Sequence, residues 1–411
     1  MNYGCIGEHL SHSFSKEIHN LLADYEYELK EIAPENLHTF MKTKDFKAFN
    51  VTIPYKQTII EYLDYVDDLA KEIGAVNTVV NRCGKLYGYN TDYFGLKALI
   101  ERNGIEIKGK KVLILGSGGT SKTAFAVCKH SGAANVFRVS RTANNDCVSY
   151  EDAISNHNDA QIIINTTPCG MYPESKGSPI DIENFKLLNA VVDVVYNPLN
   201  TDLITSAKDK GMIACGGLYM LVAQAAFAVE HFLDSEISTN TIDEIYKNIL
   251  KRKLNVVLIG MPSCGKTTCG KLLSEFLSVP FLDTDEEIVK RAKMPIKDIF
   301  NIHGEKYFRN LESDVIADFS KHSGCVIATG GGAVLKSENV KWLKKNSVIY
   351  FIDRPLNQLI CTDSRPLSSS KTALEKLFNE RYNIYKSVAD YILTSDDTFS
   401  ELKELFKENT K

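Results

Sequence analysis

The sequence predicts an α/β protein of two or three domains. Short apolar runs alternate with helical periodicity along the chain, and two of those runs end in glycine turns that open helices. At about 150 residues per domain, 411 residues exceed a single domain of ordinary size. Hydrophobic residues make up 44% and charged residues 24%, which excludes a mainly disordered chain. No apolar run reaches the roughly 18 residues of a membrane span; the longest, Tyr219 to Val229, is interrupted by Gln224. The opening MNYGCIGEHLSHS has neither the basic nor the apolar part of a signal peptide. Ten cysteines occur without a CxxC pair or a histidine cluster at zinc spacing, so a reduced, cytoplasmic protein is expected. Residues 1–250 hold 23 basic and 31 acidic residues, and 251–411 hold 25 and 21. Neither half is basic enough for a nucleic-acid footprint, though a mild positive bias in the second suits a small anion such as a nucleotide.

The elements follow in order. Tyr3 to Gly7 reads as a strand and Lys16 to Ala23 as a helix, then Tyr25 to Ile32 and Phe46 to Ile53 as strands. Lys56 to Tyr65 reads as a helix behind Pro54. Lys111 to Leu115 (KVLIL) has the near-continuous apolar character of a buried parallel strand. Strands are expected again at Asn135–Ser140, Ala160–Asn165 and Ala190–Val195, and a helix from Gly217 to Phe232. A polar helical segment, Thr241 to Lys253, precedes the strand Asn255 to Ile259, with no Pro-rich or Gly/Ser-rich linker between the halves. The division is expected near Asn248, giving 1–248 and 249–411.

Gly260-Met-Pro262-Ser263-Cys264-Gly265-Lys266-Thr267 follows that strand and opens a helix, the context a phosphate loop requires. Its glycines let backbone N–H groups wrap phosphates, Lys266 offsets transferring charge, and Thr267 can ligate Mg²⁺. The loop implies a nucleoside triphosphate, and no N-K-x-D motif points to guanine. Phe281-Leu-Asp283-Thr-Asp285 reads as a strand ending in two carboxylates on one side. In the first half, Gly116-Ser117-Gly118-Gly119-Thr120 between strand and helix is a dinucleotide-type turn, with Ser121 in place of the third glycine. Ser140-Arg141-Thr142 ends the next strand where an NAD site places Asp or Glu, and suits a 2′-phosphate instead. Asp92 also reads as the N-cap of a helix over Tyr93–Ile100.

Residues 254–411 resemble shikimate kinase through the phosphate loop, D-T-D, Gly304-Glu305-x-x-Phe308-Arg309-x-x-Glu312, Gly330-Gly331-Gly332, Arg365-Pro366-Leu367 and Arg381-x-x-x-Tyr385. The resemblance implies that Asp283 supports Mg²⁺ and that Asp285 accepts the proton of the shikimate 3-hydroxyl. Arg309 and Arg381 would grip the carboxylate beside Gly331. Pro262 to Thr268 would hold ATP, with Arg365 closing over it. Two departures bear on ATP: Cys361 stands where the family carries a first lid arginine, and Ser395 to Thr398 offers none for adenine.

Residues 1 to about 240 resemble shikimate dehydrogenase. The motifs are Ser11-His12-Ser13-Phe14-Ser15, Asn50-Val51-Thr52-Ile53-Pro54-Tyr55-Lys56, Gly74-Ala75-Val76-Asn77-Thr78 and Asn90-Thr91-Asp92-x-x-Gly95. Asn165-Thr166-Thr167-Pro168, Asp193-x-x-Tyr196-Asn197-Pro198 and Gln224-Ala225-Ala226 complete the series. By resemblance, Ser13 and Ser15 bind the substrate carboxylate, while Thr52, Asn77, Asp92, Tyr196 and Gln224 read its oxygens. Lys56 is the general acid/base paired with Asp92. NADP(H) would lie on Gly116 to Thr120, Ser140 to Thr142, Val194 and Gly217. The family's second basic residue is replaced here by Asn144 and Asn145, which weakens the expected NADP preference.

The expected fold is thus an α/β substrate lobe (1–95 and 217–248), a Rossmann-type NADP lobe (96–216) and a P-loop kinase domain with a parallel sheet. The expected function is reduction of 3-dehydroshikimate to shikimate with NADPH, then phosphorylation to shikimate 3-phosphate with Mg²⁺ and ATP. Small-molecule substrates, no nucleic acid or membrane partner, and a monomer or homodimer go with it. The alternatives are an NAD-using quinate dehydrogenase and a nucleotide-binding regulatory module in place of the kinase.

Overall fold

The computed structural model describes residues 1–10, 14–143, 146–173, 177–360 and 370–408. Ser13, Asn144, Asn145, Cys361 and Arg365, each given a part above, lie outside them. The chain forms two compact units, Met1–Tyr246 and Lys247–Lys411, and the break falls inside the Thr239–Lys253 helix. Among the described residues no helix is long and apolar enough to cross a membrane.

The first unit holds two sheets. Strands β1 (Tyr3–Gly7), β2 (Tyr27–Glu31), β3 (Ala48–Val51), β4 (Tyr65–Val66), β5 (Thr78–Arg82) and β6 (Lys85–Tyr89) form a six-stranded sheet in the order β2-β1-β3-β5-β6-β4. It is mixed: β3, β5 and β6 run antiparallel, and the other pairs are parallel. The β5–β6 hairpin went unread in the sequence; its two-residue turn, Cys83-Gly84, has positive φ at both positions (49° and 83°). That is the backbone that fits the twist of a hairpin.

The second sheet comprises β7 (Lys111–Leu115), β8 (Asn135–Val139), β9 (Ile162–Asn165), β10 (Ala190–Asp193) and β11 (Ile213–Gly216), all parallel, in the order β11-β10-β9-β7-β8. The chain leaves β7 in one direction and returns on its other side. The crevice at the carboxyl ends of β7 and β9 is therefore a topological switch point. The Gly116–Gly119 turn lies there.

The second unit has one parallel sheet of β12 (Asn255–Ile259), β13 (Phe281–Asp283), β14 (Val326–Ala328), β15 (Ser347–Ile352) and β16 (Tyr391–Leu393), ordered β13-β14-β12-β15-β16. All five β12 residues are buried, Asn255 included, as the central strand of a parallel sheet must be. The phosphate loop leaves the carboxyl end of this central strand.

Three local readings are corrected. Lys56 to Tyr65 is not an α-helix: after a turn, Thr58–Tyr62 is a 3₁₀ segment and Tyr65–Val66 pairs with β6. Three consecutive β-branched residues, Thr58, Ile59 and Ile60, lose side-chain freedom in an α-helix, and the pairing claims the end of the run. The Thr91–Arg102 helix is capped by Asn90, whose side chain accepts from the Tyr93 N–H at 3.1 Å; Asp92 lies in its first turn. Asp283 and Asp285 do not share a strand, since Asp285 is already in the Thr284–Ala292 helix that Asp283 caps.

Candidate active sites

In the first unit a cavity of about 450 Å³ opens between the two sheets. Lys56 follows β3 through the Pro54 turn, and Asp92 is fixed by the first turn of the helix after β6. Their ammonium and carboxylate meet at 2.6 Å, with side-chain exposures of 15% and 8%. The carboxylate thus holds the ammonium at the cavity wall. Asn77 is fixed on both ends of its amide. Its Oδ1 accepts from the Thr91 N–H at 2.7 Å, and its Nδ2 donates to Gln224 Oε1 at 3.2 Å. Gln224 comes from the apolar Leu218–Leu233 helix, which packs on Thr91–Arg102. The packing is close at Gly95, where a Cβ would stand 2.7 Å from the Met220 carbonyl oxygen and 2.8 Å from Gln224 Cβ.

Ser15, Thr52, Thr120, Val194, Tyr196 and Gly217 also line the cavity. Burial pushes the Tyr196 phenol up to about 12, so it stays a hydrogen-bond donor at neutral pH. Cys5, on the cavity floor, is likewise pushed by burial up to about 12 and remains a thiol, an apolar surface and not a nucleophile. Sequence reading passed over it, and Tyr172 and Met220 as well, while Asn50 was quoted in a motif and given no role. Cys5 lacked a chemical role, and Tyr172 and Met220 lacked a local pattern.

Gly116 (φ 121°) takes a conformation that glycine favours, and a Cβ there would stand 2.6 Å from Thr166 Oγ1. A Cβ at Gly118 would meet nothing within 4 Å, so the turn faces open space. Ser121 does more than replace a glycine: its hydroxyl donates to the Gly116 carbonyl at 2.6 Å and closes the turn. Gly119 begins the helix, placing unpaired N–H groups and the positive end of the helix dipole at that space. Ser140, Arg141 and Thr142 follow β8, with Arg141 and Thr142 exposed. These residues fit a dinucleotide diphosphate on the turn and an additional phosphate beside Arg141.

Asp193, at the end of β10, is fully buried. It accepts from Asn165 Nδ2 at 2.9 Å, Val195 N–H at 3.0 Å and Thr201 Oγ1 at 2.7 Å. Burial nevertheless outweighs those bonds and pushes its carboxyl up to about 6. It ties the loop after β9 to the loop that carries Val194 and Tyr196.

In the second unit a cavity of about 340 Å³ lies over the phosphate loop. Pro262, Ser263, Gly265, Lys266, Thr267 and Thr268 line it, while Cys264 is buried behind the loop. Lys266 Nζ donates to the carbonyls of Gly260 (3.0 Å) and Met261 (2.8 Å). Thr267 Oγ1 donates to Asp283 Oδ2 at 2.9 Å. This hydroxyl–carboxylate pair fits a hard divalent cation shared with phosphate oxygens. Among the described residues no cluster of three or more His, Cys, Asp or Glu forms an all-protein metal cage.

Arg309, Gly331, Arg381 and Asp285 line the same cavity. Gly304 (φ 79°, ψ 171°) interrupts the Ile296–Phe319 helix and sets the direction of the part that carries Arg309. Arg309 NH1 donates to Glu312 Oε2 at 2.8 Å, and Arg381 NH1 to the Gly331 carbonyl at 3.1 Å. Glu312 is fully buried, and burial raises its carboxyl despite the Arg309 charge. Its place in the site was not assigned from sequence, although its spacing of three from Arg309 on a helix predicts the pair. The glycine triplet makes room: at Gly330 a Cβ would come within 2.8 Å of both Asp285 Oδ1 and Glu312 Oε1. At Gly332 it would overlap the Arg309 guanidinium.

Residues 262–410 match the shikimate kinase family model, and residues 5–79 match the shikimate dehydrogenase substrate binding domain. The shikimate dehydrogenase (NADP(+)) of Clostridium beijerinckii is 37% identical over 259 residues, which is 59% of this chain and 96% of that protein. The chain belongs to the shikimate dehydrogenase family. After the dehydrogenase in sequence it carries a shikimate kinase domain, so both an oxidoreductase and a kinase are present. Among solved structures, shikimate dehydrogenase 1 from Peptoclostridium difficile is 37% identical, with a TM-score of 0.57 over 61% of this chain and 98% of its own. Shikimate 5-dehydrogenase from Thermus thermophilus, in complex with NADP(H) and shikimate, is 29% identical, with a TM-score of 0.55 over 60% and 99%. Shikimate dehydrogenase architecture thus accounts for the first unit, and the kinase domain for the second.

Proposed function

We propose that the chain performs two consecutive reactions, reducing 3-dehydroshikimate to shikimate and then phosphorylating shikimate on its 3-hydroxyl. The single observation that carries the first step is the 2.6 Å contact of Lys56 with Asp92 in a cavity walled by Asn77, Tyr196 and Gln224. Reduction of a ketone builds negative charge on oxygen. An ammonium beside that oxygen stabilises the charge and delivers a proton, and Asp92 keeps the ammonium in place. Ser15, with Ser13, supplies hydroxyl donors for the substrate carboxylate, and Asn77 and Gln224 read ring hydroxyls. NADPH, when bound, supplies the hydride. Gly116 to Thr120 would hold its diphosphate, Ser140 to Thr142 its 2′-phosphate, and Val194 and Gly217 would flank the cavity side.

In the kinase, Arg309 and Arg381 present guanidinium groups to the shikimate carboxylate, a geometry lysine cannot reproduce. Asp285 accepts the proton of the 3-hydroxyl. Lys266, Thr267 and Asp283 would hold ATP and Mg²⁺, and Arg365 would close over them. MgATP supplies the phosphoryl group, and the chain's residues supply position and charge.

The test supplies 3-dehydroshikimate, NADPH and ATP together to the intact chain and follows products by mass spectrometry. Shikimate 3-phosphate should appear, with one NADPH oxidised and one ADP released for each molecule. Accumulation of shikimate without ADP would leave only the dehydrogenase; NADH serving as well as NADPH would overturn the cofactor assignment.

A further inference from the structure

The phosphate loop is braced from behind by an arginine that neither the motifs nor the family match assigns. Arg354 follows β15, the strand beside the central β12 on the side away from Asp283. All three nitrogens of its guanidinium are used. Nε donates to the Cys264 carbonyl at 3.2 Å, NH1 to Gln358 Oε1 at 3.3 Å and NH2 to Thr398 Oγ1 at 3.2 Å. Each acceptor belongs to a different segment: the phosphate loop, the Leu356–Gln358 turn, and the start of the Thr398–Glu408 helix. Thr398 and Cys264 are buried, so the fork is anchored on fixed partners.

The consequence follows from the geometry of one peptide. In a planar trans peptide the C=O of one residue and the N–H of the next point in opposite directions. Holding the Cys264 carbonyl outward, toward Arg354, directs the Gly265 N–H the other way. Gly265 lines the cavity and has φ 100°, a conformation with few competing constraints for glycine. Without the brace, this peptide is free to turn. A loop that grips phosphates with backbone N–H groups depends on each peptide facing inward.

We propose that Arg354 is a positioning residue for nucleotide binding, fixing the Cys264–Gly265 peptide so that its N–H faces the phosphates. This rests on the reading of the second unit as an ATP-using kinase. Lysine cannot replace it, because a single ammonium does not span three acceptors in a plane.

The experiment uses the full-length chain with Arg354→Lys and Arg354→Ala. Binding of MgADP, measured by calorimetry, should weaken at least about tenfold in both variants. The KM for ATP should rise with it, while the KM for shikimate and both dehydrogenase constants stay within twofold. Millimolar guanidinium should restore much of the MgADP affinity of Arg354→Ala and none of that of Lys266→Ala. MgADP affinity within twofold of the parent in Arg354→Lys overturns the proposal. So does an equal rise in the KM values for ATP and shikimate, which marks general loosening of the domain. Should Arg354→Ala fail to fold, Thr398→Val, which removes one acceptor, must still weaken MgADP measurably or the proposal fails. A parent chain that makes no shikimate 3-phosphate would instead sink the kinase reading itself.

Discussion

Lys56 and Asp92 lie 36 positions apart in sequence and 2.6 Å apart in space. Their pairing makes the sharpest single-residue expectation. Lys56→Ala should lower dehydrogenase turnover by about 10²–10⁴-fold, the usual worth of a positioned acid/base. Shikimate-dependent ATP use, run on the same preparation, should be unchanged. Near-normal NADPH oxidation would remove Lys56 from the mechanism. Arg141→Ala should weaken NADPH by roughly 10–150-fold and NADH little, since a charge-assisted bond to the 2′-phosphate is worth about 1.5–3 kcal/mol. Equal losses in paired titrations would give Arg141 another role. Asp193 makes a claim about pH. Its folded carboxyl, at about 6, holds a proton that the unfolded chain releases near the ordinary value of 3.8. The folded state therefore binds more protons between these values, and this group's contribution to stability falls as pH rises through that window. Asp193→Asn lacks the titration. Relative to the parent it should gain up to about 3 kcal/mol between pH 4 and pH 7. Hydrogen exchange of the β9 and β10 peptides, compared between the two proteins at each pH, reads the difference.

At the scale of elements, the Thr91–Arg102 and Leu218–Leu233 helices meet at Gly95 with almost no spare volume. Gly95→Ala should cost about 1–3 kcal/mol by overpacking. Because the helix that must move carries Gln224, the KM for shikimate should rise more than that for NADPH. A variant with parental melting temperature and parental KM would show that the contact has slack. The same scale shows where sequence reading succeeds. Lys111–Leu115 and Asn255–Ile259 were read to the residue, because a strand buried on both faces carries a near-continuous apolar run, here four residues after Lys111 and after Asn255, and needs no partner to be recognised. The Asn90 cap, the 3₁₀ segment after Lys56 and the split of Asp283 from Asp285 depend on local competition that periodicity does not record. Arg354 was invisible for another reason. Its acceptors at Cys264 and Thr398 stand 90 and 44 positions away, with no motif linking them. The proposed catalytic groups could be named because they fall inside motifs shared with a known family, whereas a bracing group can be supplied from many places.

For the whole molecule, the two compact units imply separable chemistry on one chain. Lys266→Ala should silence ADP release while NADPH oxidation continues at the parental rate, and a parallel fall in both would contradict that separation. Gly332 offers a subtler way to divide the reactions. Its backbone, at φ −103° and ψ −2°, is one alanine adopts without strain, yet the added methyl would occupy the space of the Arg309 guanidinium. Gly332→Ala therefore deletes no functional group, and the kinase should weaken because the Arg309 guanidinium must shift away from its place to make room. In a growing cell dependent on this chain, carbon would stop at the free acid instead of its phosphate ester. On the proposed function such a strain would accumulate shikimate in place of shikimate 3-phosphate, so a single methyl group would decide which compound the culture yields.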